Sequence, residues 1–99
     1  MMTSVLEQEY VYSSDKTGDF RVVRISLDVT EMEEIITIKT EENMTMGEID
    51  RVLRGFEEDV LSGMDIHLDV NYPARLLYKG KLLKIAFGPD HKVKGIAPA

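Results

Sequence analysis

Ninety-nine residues, 43% of them hydrophobic and 30% charged, suit one globular domain with room for a single core. The absence of cysteine excludes disulfides, thiolate zinc centres and cysteine nucleophiles. A net charge of −6 disfavours non-specific attraction to nucleic acid or anionic lipid, but the charge is uneven: residues 1–70 hold seventeen acids against six Lys/Arg, and residues 71–99 hold Asp90 alone against six Lys/Arg.

The first fifteen residues carry Glu7, Glu9 and Asp15 where a signal peptide needs an apolar run, and no segment is long enough to span a bilayer, so a cytoplasmic protein is expected. Val5–Tyr12 reads as an edge strand, with Leu6, Gln8, Tyr10 and Tyr12 on one side and Glu7, Glu9 and Val11 on the other. After the turn-rich residues 13–19, Phe20–Val29 alternates most clearly: Val23, Ile25, Leu27 and Val29 face one way, Arg24, Ser26 and Asp28 the other. Glu34–Thr40 follows with Ile36 and Ile38 inward, completing an antiparallel meander.

The helix signal is the strongest in the chain. Thr45 and Glu48 have capping-box spacing, and Met44 and Ile49 fit a hydrophobic staple. Ile49, Val52, Leu53, Phe56 and Val60 form one apolar stripe, and Gly63 supplies a left-handed stop. Beyond it Asp65–Val70 alternates, with Ile66, Leu68 and Val70 inward, and predicts a strand that Asn71-Tyr72-Pro73 ends. Arg75–Tyr78 and Lys81–Phe87 flank Lys79-Gly80 as a hairpin. A two-residue primed turn favours Asn or Asp where Lys79 stands, so a longer loop serves equally. Gly88–His91 turns the chain into a last strand, Val93–Ile96, and a fraying tail.

These elements predict an α+β fold, 1–99 as one domain. A mainly antiparallel sheet of five to seven short strands, in the order βββ-α-βββ(β), carries one helix (about 46–61) on one face as a two-layer sandwich. The stretch Arg75-Leu-Leu-Tyr-Lys-Gly-Lys-Leu-Leu83 resembles a hairpin of ubiquitin-like β-grasp domains, and a helix following a hairpin fits that fold. The strong final hairpin and the extra first strand depart from it, and the resemblance implies no function.

Three groups of polar residues are candidates for a site. Pairing Tyr78 with Lys81 puts Arg75 opposite Lys84, and pairing Phe87 with Val93 puts Lys94 beside Ala86. Like charges opposed across strands destabilise unless neutralised. Either the chain's own acids or solvent answer this, or a phosphate backbone does, through Arg75, Lys81, Lys84, Lys92 and Lys94 with Tyr72, Tyr78 or Phe87 as stacking faces. Second, Glu57, Glu58 and Asp59 crowd the last helical turn, where the macrodipole disfavours negative charge. Part of the basic hairpin is expected within about 10 Å of them; otherwise they form a docking surface for a basic partner. Third, His67 and Asp69 share a predicted strand face as a polar pair, with no third ligand at metal spacing.

No Gly-rich phosphate loop, nucleophile elbow or HExxH helix is present, so neither enzyme activity nor a cofactor is expected. Tyr10, Tyr12, Phe20, Met32 and Met44 have no place on the helix stripe or main strand faces. Any left exposed would favour self-association at the first edge strand or through an apolar patch. The leading expectation is a non-catalytic protein-interaction or accessory domain, with a homodimer as one form. A nucleic-acid-binding module built on residues 75–95 is the alternative, and a small enzyme with a carboxylate/His site the third.

Overall fold

The computed structural model describes residues 1–71 and 73–98. Among these residues six strands form one sheet in sequence order: β1 (Thr3–Ser13), β2 (Phe20–Val29), β3 (Glu34–Lys39), β4 (Ala74–Tyr78), β5 (Lys81–Phe87) and β6 (Val93–Pro98). The helix α1 (Met46–Gly55) lies between β3 and β4 in the chain. All pairings are antiparallel except β3–β4, so the sheet is mixed. The parallel joint follows from the helix: it carries the chain back along the sheet, and the next neighbouring strand must then run in the direction of β3. Alternation places Val23, Ile25, Leu27, Ile36, Ile38, Leu76, Leu83 and Ile85 on the helix side as one buried cluster.

The predicted strand Asp65–Val70 is instead an irregular connection. Its alternation reports burial and not pairing: Leu68 is buried, and Ile66 packs against the core. A ladder needs strand partners for the backbone, yet the N–H of Asp69 donates to the Glu34 carboxylate at 2.7 Å. β6 extends two residues beyond the predicted Ile96.

Thr45 caps α1 as expected. Its hydroxyl accepts from the N–H of Glu48 at 3.0 Å, and the Glu48 carboxylate accepts from the N–H of Thr45 at 2.7 Å. The helix then changes pitch. Phe56–Leu61 is a π turn and Ser62–Met64 a 3₁₀ turn. With bonds running to the fifth residue, the position that follows Phe56 on the buried side is Leu61, which is fully buried, while Val60 is half-buried. The stop also differs from expectation: Asp65 takes the left-handed conformation (φ 56°), not Gly63.

Both edge strands reach the helix. On the β6 side, an Arg54 guanidinium N–H donates to the Lys94 carbonyl, and the Val93 N–H donates to Glu57 at 2.9 Å. On the β1 side, the Tyr10 ring meets Phe56 edge-on at 6.5 Å and its hydroxyl donates to Asp59 at 3.2 Å. This approach crowds Gly55: a Cβ there would overlap the Tyr10 hydroxyl and stand 3.1 Å from its ring carbon, so the ring would have to shift. Gly55→Ala is expected to destabilise the protein by about 1–3 kcal/mol through overpacking, although alanine is the better helix former by about 1 kcal/mol. With Tyr10→Ala alongside, the same change should become stabilising. Urea titration of the four proteins checks this, and a loss in both backgrounds would rule out the contact as its cause.

The Lys79-Gly80 connection is the tight two-residue turn, with φ positive at both residues (48° and 77°). Lysine is an unusual occupant of the first position. Its ammonium offsets the strain by donating to Asn43 at 3.0 Å and to the Glu41 carbonyl at 3.3 Å. The pairing around Val5 in β1 and Lys94 in β6 is bulged, which blunts both edges against further strand addition.

Candidate functional site

The cationic residues of the C-terminal third separate. Arg75 stands directly opposite Lys84, as the hairpin register requires. Lys81 pairs with Tyr78, an odd number of residues from Lys84 and hence on the other face. Lys94 does not stand beside Ala86. Ala86 pairs with Gly95 and Phe87 with Val93, so Lys94 is the extra residue of the β6 bulge and the three-residue stripe does not form. Lys92 lines a hollow with Arg54, Glu57 and Glu58. Among the aromatic residues considered for stacking, Tyr78 accepts from the Met44 N–H at 2.8 Å and donates to the Glu42 carbonyl at 3.1 Å. Phe87 packs on the core, and Tyr72 lies outside the described residues.

The acidic turn does meet the basic hairpin, but through its backbone. Glu57 accepts the Val93 N–H, Asp59 accepts the Tyr10 hydroxyl, and Glu58 is exposed. Burial, followed by the nearby Asp59 charge, pushes the Tyr10 phenol above its ordinary value. One turn earlier on the helix, Arg54 and Asp50 form an i,i+4 ion pair at 3.1 Å.

His67 and Asp69 are not paired. With residues 65–70 irregular, the imidazole Nε2 lies 3.1 Å from Asp65, and Asp69 caps the Asn71 N–H at 2.9 Å. Both still line one hollow of about 440 Å3, with Asp90, His91 and Lys92 across from them. Its carboxylates are engaged: Glu57 and Asp69 as described, and Asp90 with the Lys92 N–H at 3.2 Å. Among the described residues no three His, Asp or Glu side chains are placed to hold a metal ion.

Two glutamates hold more than the sequence assigns to them. Glu48 is buried and, besides the Thr45 N–H, accepts the N–H of Asp15 at 2.9 Å, fastening the β1–β2 loop to the helix start. Those N–H groups, Thr45 first, hold its carboxyl below the usual range. Glu34 is buried beneath the 65–70 connection, and desolvation raises its carboxyl despite the Asp69 N–H. The capping box marked Glu48 but not its second partner at Asp15, and nothing local distinguishes Glu34 from the other carboxylates in the chain.

The face of the sheet away from the helix is the remaining surface. Val11 pairs with Val22, and Ser13 with Phe20. Thr37, Leu77 and Leu82 form a row farther along. Phe20 is 80% exposed and Leu82 40%, whereas Tyr12 is buried and Tyr10 and Met44 pack on the core. Met32 is exposed in the β2–β3 turn. The outward positions of Val11, Val22, Leu77 and Leu82 were readable from alternation alone. Among the described residues no helix is long and apolar enough to cross a membrane. Comparison of this chain with protein-family models, curated proteins and solved structures gave no match.

Proposed function

We propose that this protein is a small non-catalytic interaction domain that docks a partner protein on the sheet face opposite the helix. The observation that carries this reading is two apolar groups on that face: exposed Val11, Phe20 and Val22 at one end of β1 and β2, and exposed Leu82 with half-buried Leu77 and Ile35 across β3–β5, separated by the ion-paired Glu7, Glu9, Arg24 and Lys39. The bulged edges favour the face over edge-to-edge strand addition as the docking surface, for a second copy of the chain or for another protein.

The test compares wild type with a Val22→Asp/Leu82→Asp variant, both immobilised for capture from the native host and both weighed in solution by sedimentation. A partner or dimer present with wild type and lost with the folded variant supports the reading. Indistinguishable behaviour of the two proteins would sink it. The nucleic-acid reading draws less support, because Lys81, Lys92 and Lys94 do not join the Arg75–Lys84 pair in one stripe. It predicts a salt-dependent mobility shift with DNA or RNA that Lys84→Glu weakens.

A further inference from the structure

Arg75 and Lys84 leave an electrostatic imbalance that the chain only partly meets. They stand directly opposite across β4 and β5, an arrangement that destabilises unless an anion intervenes. Arg75 has Glu33 at 3.8 Å, and Lys84 has no ion-pair partner among the described residues. Asp28 lies on the same row but two strands beyond Arg75, roughly 10 Å away.

Beside this pair is an opening. β4 begins at Ala74, opposite the middle of β5, while β5 continues to Phe87. The shortfall leaves a hollow of about 540 Å3, within the range of roughly 300–1,000 Å3 that small-molecule sites occupy. Ala74, Ile85 and Phe87 wall it from the helix side of the sheet, with Val70 beside them, while Arg75 and Lys84 alternate to the opposite face and line its rim. Apolar walls beside two under-neutralised cations select a ligand with one charged end.

We propose that this hollow binds an alkyl or aryl monocarboxylate, with the carboxylate between Arg75 and Lys84 and the hydrocarbon against Val70, Ala74, Ile85 and Phe87. The carboxylate supplies the absent counter-charge, and the guanidinium offers paired donors matched to its two oxygens. A neutral ligand of the same shape leaves the cations as they were; a short carboxylate leaves the walls wet. Both parts are therefore needed for affinity. The proposal is independent of the docking reading, since it needs no partner protein.

Titration of the full chain with decanoate, kept below micelle formation and followed by amide NMR, tests it against decan-1-ol and acetate. Saturable shifts at Ala74, Ile85 and Phe87 are expected with decanoate, and binding about tenfold or more weaker with either comparator. Lys84→Gln and Arg75→Gln, both at partly or fully exposed positions, should each weaken decanoate by about the same factor and leave decan-1-ol unchanged. No saturable shift at those residues, equal affinity for decan-1-ol, or indifference to both substitutions would each overturn it.

Discussion

Phe56→Ala is expected to remove about 3–5 kcal/mol of folding stability, a large share of the roughly 5–15 kcal/mol that holds a domain together. Phe56 is fully buried, opens the π turn and meets the Tyr10 ring at right angles, so truncation leaves a cavity where the helix, β1 and the core meet. The same change of pitch makes a second, more discriminating statement. In an uninterrupted α-helix Val60 would follow Phe56 on the buried stripe, and Leu61 would turn outward. In the observed pitch Leu61→Ala should cost about 2–5 kcal/mol and Val60→Ala clearly less. Urea titrations with an unchanged m-value read these differences directly. Equal costs, or the reverse order, would contradict the π turn.

Glu48→Ala is expected to cost roughly 2–3 kcal/mol, because one carboxylate serves both the helix cap and the β1–β2 loop. On a chain of this length that is a fall in Tm of about 10–20 °C. Glu48→Gln keeps an acceptor oxygen but not the charge, and isolates the pH dependence. The folded carboxyl lies below its unfolded value, held there chiefly by the Thr45 N–H and then by that of Asp15. Its contribution is therefore complete above the unfolded carboxyl range and is lost as pH falls through the lowered folded value. Wild type should lose stability over that acid window more steeply than Glu48→Gln. Parallel melts from neutral pH to about pH 3 check this, and coincident pH profiles would remove Glu48 as the cause. Glu34 acts with the opposite sign. Its raised carboxyl favours the fold at low pH and loses that advantage as pH rises through the folded value, so it moderates the acid loss without reversing its cause.

What the sequence determined by itself was local. The Thr45–Glu48 box fixed the helix start because both partners lie within one turn. Alternation assigned the faces of β1, β2 and β3, and the Arg75–Lys84 opposition followed from a two-residue turn. The same alternation misled at Asp65–Val70, since burial of every second residue looks alike whether the backbone joins a ladder or donates to Glu34. Tertiary structure alone decided the parallel β3–β4 joint, the π turn that exchanges Val60 for Leu61, and the bulge that takes Lys94 out of the cationic stripe. It also decided which of the many acids are buried and what they hold. Glu34, Glu48 and Glu57 accept backbone N–H groups from residues 35, 33 and 36 positions away. A carboxylate's chemistry is written in the chain, but its partner is set by where the sheet and helix bring distant backbone together.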